Sequence, residues 1–442
     1  MGRLFGTDGI RGVANVDLTP TLAFDLGRAV GHLLEATGRR VAIGQDTRRS
    51  GDMLVAAVAA GLASVGAEAV ELGVVTTPCL AYVAASGGYA AGIMVSASHN
   101  PADDNGLKVL SGGRKIDDEV EEELERLILQ AESLPGRTND EIGWIIRDPS
   151  PVAIYRAALV AEAGDALQGM RLAIDCANGS ASAFAPDLLR ELGATVTVLS
   201  AAPDGSNINR DCGSTHPEAV AAAVVAGGLE MGMAFDGDAD RMIAVDHEGG
   251  IVDGDGVMGI CALARLAAGT LRHGILVTTV MSNGGLERAI AEAGGRMVRT
   301  PVGDRHVFEA MERADASLGG EQSGHIIFRD LSSAGDGILT GIELVRTMRA
   351  AGATLAELAG RIPMLPQVVI NSSVRHREQW EVDPEFADAV AQADARLGSR
   401  GRILVRPSGT EPKIRIMVEG DDAGEIEGIA RELSDLARTR LN

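Results

Sequence analysis

The feature that most constrains the fold is a local pattern that occurs three times: a short apolar stretch, a polar glycine-containing turn, and a stretch with helical spacing. Short apolar runs bounded by such turns predict buried strands. Strands that alternate with helices predict α/β layers with parallel pairing. We therefore expect three related α/β domains with mixed sheets. The apolar stretches and their turns are Val41–Gly44 with 45–51, Leu172–Ile174 with 175–179, and Ile275–Val280 with 281–285.

The pattern changes after Pro366, where a strand, an acidic helix, two paired strands and a last helix are predicted. This order predicts a smaller α+β domain at the end of the chain. At 442 residues the chain is too long for a single hydrophobic core. Segments rich in proline and glycine separate the units, and they place the expected domains at 1–150, 151–253, 254–365 and 366–442.

Charge and cysteine usage exclude several functional classes. The chain has 62 acidic and 40 basic residues, and its net charge of -22 repels nucleic acids and anionic membranes. No apolar run approaches the roughly eighteen residues of a membrane span. The four cysteines are scattered without metal-type spacing, which is typical of buried thiols in a reducing compartment. We therefore expect a cytoplasmic protein without nucleic-acid or membrane partners.

The most specific local signal is the string Met-Ala-Phe-Asp-Gly-Asp-Ala-Asp-Arg at 233–241, in which an apolar strand leads into Asp236, Asp238 and Asp240. If the segment is extended, alternate side chains share one side and the three carboxylates converge. Such a cluster repels itself unless a cation neutralises it. Because Mg²⁺ prefers carboxylate oxygens and completes its shell with phosphate or water, the string predicts a magnesium site.

Other interpretations of the glycine-rich acidic strings fit less well, although an ordinary acidic turn stays possible at 236–240. An EF-hand calcium loop needs glycine sixth and glutamate twelfth, where this chain has Arg241 and His247. The string at 254–259 matches a dinucleotide-binding pattern, but Asp255 would face a pyrophosphate and the string lies at a domain break.

A second apolar strand, at 92–95, runs into Ser-Ala-Ser-His-Asn-Pro at 96–101. We expect Ser98 to lie exposed at the end of that strand, where reactive groups are commonly held. A serine can carry a phosphate if a metal ion and nearby cations neutralise the phosphate oxygens. Lys108, one of only three lysines, follows closely, and this rarity favours phosphate contact or proton transfer over a solvated position. A purely structural turn is the alternative.

Two further loops favour contacts with a phosphorylated sugar. The string Gly-Glu-Gln-Ser-Gly-His at 320–325 places Glu321 and Ser323 on one side, which suits sugar hydroxyls. The string Arg-Pro-Ser-Gly-Thr-Glu-Pro-Lys at 406–413 offers a guanidinium, two hydroxyls and turn amides, which suits a phosphate. Taken alone, each string is also typical of a hairpin turn.

One charged run is expected to have no chemical role. Apolar residues at helical spacing predict a helix over 120–130. We interpret the run Glu121–Glu123 on that helix as a solvated face.

Taken in order, these motifs resemble the α-D-phosphohexomutase family over nearly the whole chain. The matching strings are Phe-Gly-Thr-Asp-Gly-Ile-Arg-Gly at 5–12 and the loops at 96–101, 236–241, 320–325 and 406–413. Gln322, together with Pro-Val-Gly-Asp-Arg at 301–305, resembles the phosphoglucosamine mutase branch rather than the phosphomannomutase/phosphoglucomutase branch. The resemblance implies a four-domain, roughly heart-shaped enzyme whose central cleft receives one motif from each domain.

The resemblance also implies a role for individual residues. Ser98 would carry the phosphate, and the proton-transfer group stays open among Asp304, His325 and Lys108. The residues implied in catalysis are Ser98, His99, Arg11, Lys108, Asp304 and His325. The residues implied in substrate binding are Gly303, Glu321, Ser323, Arg406, Ser408, Gly409, Thr410 and Arg415. The implied ligands of one Mg²⁺ per chain are Ser98, Asp236, Asp238 and Asp240.

The reaction implied by the resemblance interconverts glucosamine 6-phosphate and glucosamine 1-phosphate, with glucosamine 1,6-bisphosphate as intermediate and activator. It would serve the synthesis of UDP-N-acetylglucosamine and peptidoglycan precursors. The expected partner is a small phosphosugar, and the expected assembly is a monomer or a homodimer. The alternatives are a phosphomannomutase/phosphoglucomutase, a magnesium-dependent phosphatase, and a non-catalytic module that binds a metal or a sugar phosphate.

Overall fold

The structure is a computed structural model that describes residues 4–6, 8–130, 134–407 and 412–442. Four sheets follow one another along the chain, and each is packed against its own helices. The expected fold class is confirmed, because three α/β units with mixed sheets precede a smaller α+β unit.

The first sheet has seven strands and contains both parallel and antiparallel pairs. Its strands are β1 (Ile10–Val13), β2 (Arg40–Gln45), β3 (Glu68–Val74), β4 (Ala91–Val95), β5 (Asp104–Ser111), β6 (Arg114–Lys115) and β7 (Ile145–Arg147). They lie in the order β1-β5-β4-β2-β3-β7, with β6 on β5. The helices are α1 (Pro20–Leu33), α2 (Gly51–Ser64), α3 (Thr77–Ser86) and α4 (Asp118–Leu129).

The second sheet has five strands in the order β12-β11-β10-β8-β9, with parallel pairing at β10-β8-β9. The strands are β8 (Arg171–Asp175), β9 (Thr195–Leu199), β10 (Met231–Phe235), β11 (Met242–Asp246) and β12 (Ile251–Val252). The helices are α5 (Val152–Ala163), α6 (Ala185–Glu191) and α7 (Glu218–Gly227).

The third sheet has four strands in the order β14-β13-β15-β16, and β13 pairs in parallel with both of its neighbours. The strands are β13 (Ile275–Thr279), β14 (Arg296–Thr300), β15 (Leu318–Gly320) and β16 (Ile326–Phe328). The helices are α8 (Gly254–Ala267), α9 (Gly284–Glu292), α10 (Asp304–Arg313), α11 (Gly337–Ala351) and α12 (Leu355–Ala359).

The fourth sheet is antiparallel and has three strands in the order β17-β19-β18. The strands are β17 (Gln367–Ser373), β18 (Gly401–Pro407) and β19 (Lys413–Gly420), with helices α13 (Pro384–Leu397) and α14 (Ala423–Arg440). We propose the domain boundaries expected from the sequence, after 150, 253 and 365, because every strand of a given sheet lies between two of them.

Within the described residues, one buried hydrophobic cluster extends through the first three units and does not reach the fourth. One buried cluster contains Leu80 of the first unit, Tyr155 of the second and Ile338 of the third. The buried core of the fourth unit is a separate cluster around Phe386 and Ile416. The first three units therefore share buried apolar surface, which stabilises their relative positions.

The face of α4 that carries the acidic run differs from the expectation of a solvated surface. Glu121 is largely buried, and its Oε1 accepts a bond from Arg305 Nη2 at 2.5 Å. Arg305 also pairs with Asp118. These contacts join the first unit to the third, so the expectation that Glu121 is simply solvated is wrong.

Candidate active site

Ser98 lies in the turn that follows β4, a strand that is buried along its whole length. The backbone of Ser98 has φ 51°, in the left-handed region that side chains disfavour. The expectation that Ser98 is exposed is wrong, because the second unit covers the residue and leaves it only 1% exposed. A Cβ placed on Gly237 would lie 2.5 Å from the Ser98 carbonyl oxygen. The Ser98 hydroxyl donates to Asp236 Oδ2 at 2.5 Å.

The three aspartates follow β10 in a tight turn. The expectation that an extended segment brings them together is wrong, because the chain reverses direction here, with Ala239 at φ 56°. The carboxylates nevertheless converge: ligand oxygens of Asp236, Asp238 and Asp240 lie within 4.8 Å of one another, and all three residues are buried.

The charge of this cluster fits a metal ion. Burial, and then repulsion from Asp240 and Asp238, raise the pKa of Asp236 well above its ordinary value. Within the described residues, Oδ1 of Asp238 and Oδ1 of Asp240 are buried without a hydrogen-bond partner. A hard divalent cation takes oxygen ligands of this kind and would relieve the repulsion. This group of carboxylates could therefore hold a metal ion.

Lys108 approaches the aspartates from β5 in the first sheet and is 1% exposed. Its Nζ lies 2.8 Å from Asp238 Oδ2, 3.1 Å from Asp8 Oδ2 and 3.6 Å from Asp240 Oδ2. Burial lowers the pKa of Lys108, but the surrounding carboxylates outweigh burial and raise it above the ordinary value. The surrounding carboxylates therefore favour the protonated form of Lys108.

Arg11 reaches the same place from β1, the strand that pairs with β5. Its guanidinium donates to Asn100 Oδ1 at 3.1 Å and pairs with Asp8. His99 Nδ1 lies 3.3 Å from Ser98 Oγ. Burial, followed by the charges of nearby guanidinium groups, lowers the pKa of His99 to about 3. His99 is therefore neutral at physiological pH, and it can share a hydrogen bond with Ser98.

Asp304 is the first residue of α10 and lies between two side-chain nitrogens. Lys115 Nζ is 2.5 Å from Asp304 Oδ2, and His325 Nε2 is 3.8 Å from the same oxygen. Lys115 also pairs with Asp8 of its own unit, so its contact with Asp304 connects this pair of the first unit to the third. Burial raises the pKa of Asp304, but Lys115 and then His325 outweigh burial and lower it. Asp304 is therefore a carboxylate beside His325, whose buried Nδ1 has no partner among the described residues.

The turn at 320–325 brings Glu321 next to the start of α10. Glu321 Oε1 accepts a hydrogen bond from the backbone N–H of Gly303 at 3.0 Å, and Gly303 has φ 133°. Ser323 Oγ is buried and has no hydrogen-bond partner in the part of the chain that the structure describes. Gln322 Nε2 donates to Gln367 Oε1 at 3.5 Å, which places this turn against the fourth unit.

Arg406 and Arg415 lie directly opposite each other on β18 and β19. Like charges in such a pair destabilise each other. Burial and then Arg415 lower the pKa of Arg406, while Glu321 raises it. Two convergent guanidinium groups suit a dianionic phosphate. The predicted phosphate contacts Ser408, Gly409 and Thr410 lie outside the described residues.

Three residues to which the sequence analysis gave no role also lie here: Asp8, Thr77 and Lys115. Thr77 Oγ1 donates to Asp238 Oδ2 at 2.5 Å, and its N–H donates to the Asp238 carbonyl at 3.0 Å. Asp8 stands inside the matched opening string, and Lys115 shares the rarity of Lys108. Thr77 gives no such signal, because its partner is 161 positions away.

Four models of one protein family match this chain in sequence order. They are the phosphoglucomutase/phosphomannomutase alpha/beta/alpha domain I at residues 2–134, domain II at 154–250, domain III at 253–364 and the C-terminal domain at 369–436. This chain belongs to the phosphoglucomutase/phosphomannomutase family. As a member of that family, the protein is a phosphohexomutase, an isomerase.

Relatives within this family match from end to end. A phosphoglucosamine mutase of Symbiobacterium thermophilum is 51% identical over 100% of both chains, and one of Moorella thermoacetica is 50% identical over 99% of both. A crystal structure of a phosphoglucomutase/phosphomannomutase family protein from Burkholderia thailandensis is 28% identical, with a TM-score of 0.84 over 99% of this chain and 98% of that one. The resemblance to the phosphohexomutases and to their phosphoglucosamine mutase branch is thereby confirmed.

The length and apolar character of the helices bear on the expectation that the chain does not span a membrane. None of those in the described ranges combines the length and the apolar character that crossing a bilayer requires.

Proposed function

We propose that the protein interconverts glucosamine 6-phosphate and glucosamine 1-phosphate by way of a phosphorylated Ser98. The observation that carries this proposal is the 2.5 Å contact between Ser98 Oγ and Asp236. These two residues follow strands of two different sheets. Phosphoryl transfer needs a positioned oxygen and a concentration of countercharge. The Ser98 hydroxyl would supply the positioned oxygen. Lys108, together with a divalent cation at the carboxylate cluster, would supply the countercharge.

Asp236, Asp238 and Asp240, together with an oxygen on Ser98, would hold one Mg²⁺ per chain. When bound, this ion would neutralise charge on the transferred phosphate. The unpartnered Oδ1 atoms of Asp238 and Asp240 support the assignment, because buried carboxylate oxygens are otherwise costly. Thr77 and Lys108 both contact Asp238 and keep that carboxylate in a single orientation.

The proposed cycle starts with phosphorylated Ser98. The bond from phosphorus to Ser98 Oγ breaks as a bond to a sugar hydroxyl forms, giving glucosamine 1,6-bisphosphate. The proton that leaves the sugar hydroxyl ends on Ser98 Oγ. After the bisphosphate has turned end for end, its other phosphate is transferred back to Ser98 in the reverse step. The sugar leaves with its phosphate on the other carbon.

Four side chains divide the charge and proton transfer in this proposal. Lys108 stays protonated, so we assign it, with Arg11, to the phosphate oxygens. We assign proton transfer to His325, because Asp304 beside it would stabilise the imidazolium that forms when the ring takes a proton.

The residues predicted to bind substrate would hold the parts of the sugar phosphate that do not react with Ser98. Glu321 and the unpartnered hydroxyl of Ser323 suit sugar hydroxyls. Arg406 and Arg415 suit the phosphate that is not being transferred. Because these two groups lie on the third and fourth units, the substrate would bridge the cleft between units.

The preference for an amino sugar is supported by the full-length relatives, which are phosphoglucosamine mutases. The reaction would supply amino-sugar phosphate for UDP-N-acetylglucosamine and peptidoglycan precursors. We propose a cytoplasmic location for it, and the four cysteines are buried free thiols, as suits a reducing compartment.

Comparing turnover of the phosphates of glucosamine, glucose and mannose by the magnesium-loaded enzyme tests the substrate assignment. We expect the highest kcat/KM for glucosamine phosphate. A clear preference for mannose phosphate would overturn the assignment to an amino sugar while leaving the phosphoserine site intact.

Replacing the serine tests the phosphoserine route. We expect Ser98→Ala to abolish isomerisation, whereas Ser64→Ala, which removes a hydroxyl bonded inside α2, leaves it unchanged. Sustained release of inorganic phosphate by Ser98→Ala, lost only in Asp236→Asn, would instead indicate a phosphatase.

A further inference from the structure

Arg48 is a buried arginine whose contacts converge on the segment that carries Ser98. It follows β2, and its side chain has no exposed surface. Its guanidinium donates to four backbone carbonyls of that segment: Ser98 at 3.0 Å, Asn100 at 2.8 Å, Asp104 at 2.9 Å, and Pro101. A planar guanidinium has the several donors in fixed directions that such a set requires.

The charge of Arg48 is balanced by Asp46, which extends the same network to the other side of Ser98. Asp46 Oδ2 accepts from Arg48 Nε at 3.0 Å and from Ser96 Oγ at 2.6 Å. Ser96 Oγ in turn accepts from the backbone N–H of Ser98 at 3.0 Å. The N–H and the carbonyl of Ser98 are therefore both tied to one buried ion pair.

The network stabilises an unfavourable backbone conformation of Ser98. At φ 51° the residue occupies a region that a side chain disfavours, so surrounding contacts must hold it there. On the side of the second unit, Asn209 Nδ2 donates to the Ser98 carbonyl at 2.8 Å and to the Asn100 carbonyl at 3.0 Å. The direction of Ser98 Oγ toward Asp236 depends on this backbone conformation.

We propose that Arg48, acting through Asp46 and Ser96, is a positioning residue that holds Ser98 in line for phosphoryl transfer in both directions. This inference rests on the proposed function, in which Ser98 alternately accepts and donates the phosphate. A serine that both accepts and donates the phosphate must keep Oγ in one position while the charge on its side chain changes. Among the described residues, the hydrogen bonds of the Arg48 side chain go to backbone carbonyls and to Asp46, so Arg48 can hold the serine without touching the phosphate.

The conservative variant Arg48→Lys tests the inference, because it keeps the charge opposite Asp46 but cannot reach all the carbonyls. Its matched control is Arg49→Lys, the same change at the neighbouring exposed position. Dephosphorylated enzyme is mixed with excess glucosamine 1,6-bisphosphate and Mg²⁺, and the phosphate on Ser98 is followed in time by quenched-flow peptide mass mapping. We expect the phosphorylation rate to fall about 100-fold in Arg48→Lys, as for a small misplacement of a reacting group, and not in Arg49→Lys.

Three more measurements separate positioning from a general loss of structure. KM for glucosamine 6-phosphate should stay within about twofold of wild type, while kcat falls with the phosphorylation rate. Ser96→Ala, which keeps the ion pair but removes the hydroxyl that joins Asp46 to the Ser98 N–H, should lower the rate about tenfold. Circular dichroism spectra should match wild type for each variant.

Specific outcomes would overturn the inference. Folded Arg48→Lys that phosphorylates Ser98 at the wild-type rate contradicts it, and so does a rise in KM with kcat unchanged. If Arg48→Lys does not fold, Ser96→Ala decides, and a wild-type rate in that variant refutes the proposal. Wild-type enzyme that never acquires phosphate on Ser98 would instead refute the proposed function.

Discussion

The junction among the first three units differs in kind from the junction between the third and the fourth. The first contains a buried apolar cluster with side chains from all three units, among them Leu80, Tyr155 and Ile338. The second includes polar contacts between side chains and backbone at the linker. Arg402 donates to the carbonyls of Val280 and Ser282, and Gln367 Nε2 donates to the Met281 carbonyl at 3.2 Å.

The difference matches the division of chemical work. Ser98, Lys108 and the three aspartates lie on the first two units, which share a buried apolar cluster. The paired guanidinium groups of Arg406 and Arg415 lie on the unit with a separate core. Polar contacts can be exchanged for water at small net cost, whereas buried apolar surface cannot. In the proposed mechanism, the bond-making groups would therefore be held rigidly, and the unit proposed to bind the second phosphate could adjust its position.

The largest effect should come from the bond-making side. Asp238→Asn keeps the shape of the side chain but removes a charge that Lys108 and the proposed cation both face. We expect kcat to fall about 10²- to 10³-fold. Steady-state kinetics checks this, with Asp246→Asn as control, since Asp246 is a buried aspartate whose side chain accepts, among the described residues, from the backbone N–H groups of Glu248 and Gly250 in its own turn. Equal activity of the two variants would contradict the proposed role.

A smaller effect should appear in stability at the apolar junction. Asp336 is 1% exposed and accepts from Tyr155 of the second unit at 2.8 Å, and burial raises its pKa from 3.8 to about 6. The folded state therefore holds this proton more tightly than the unfolded state. Its contribution is full below about pH 4, and the free energy of unfolding falls by about 3 kcal/mol as pH rises through 6.

Asp336→Asn should remove this part of the pH dependence while keeping the cap that Asp336 provides to the N–H of Leu339. Urea unfolding between pH 4 and 7 measures the difference. Asp435→Asn, at an exposed position, should keep the wild-type slope. A slope in Asp336→Asn as steep as wild type would show that this carboxyl is already ionised in the folded protein.

On the side of the fourth unit, the expected change is in binding. Arg415→Lys replaces a planar fork by a single ammonium opposite Arg406. We expect KM for glucosamine 6-phosphate to rise about tenfold, with kcat reduced less, because the lost contact is made to a phosphate outside the reacting bond. The exposed change Arg431→Lys on α14 is the control. A fall in kcat at constant KM would place Arg415 on the bond-making side instead.

The smallest effect should be seen at the polar junction itself. Arg402→Lys keeps the charge near Glu419 but loses part of the fork that reaches the third unit, at a cost of about 1 kcal/mol. Calorimetry of the full chain should show the fourth unit unfolding in its own transition, lowered by about 4–8 °C in this variant. Arg400→Lys, which pairs within the unit, should leave it in place. A single transition that moves as a whole would contradict separate cores.

The sequence indicated the parts of the fold that depend on local patterns. Strands β2, β8 and β13 lie where short apolar runs precede glycine-containing turns, and the change after Pro366 marks the fourth sheet. Such patterns are visible because burial imposes a period on neighbouring residues. The convergence of the three aspartates was also predictable, although a turn at Ala239 produces it instead of extended backbone.

Contacts between distant segments were not predictable in the same way. The partners lie on other units or are backbone carbonyls in the case of Thr77, Arg48 and Glu121. Contacts of either kind leave no pattern in the neighbouring sequence. The burial of Ser98 escaped prediction for the same reason, because the residue is covered by Gly237 of the second unit. One sequence shows which side chains can do chemistry, and packing between units decides how they are held.

The central claim is that Ser98, against the aspartate turn of another sheet, carries the transferred phosphate. Peptide mass mapping of the enzyme after incubation with glucosamine 1,6-bisphosphate and Mg²⁺, and again after a chase with glucosamine 6-phosphate, tests it directly. The account predicts phosphate on the peptide containing Ser98 and its transfer to sugar during the chase. Isomerisation at full rate with no phosphate on Ser98, or with phosphate on another residue, would contradict it.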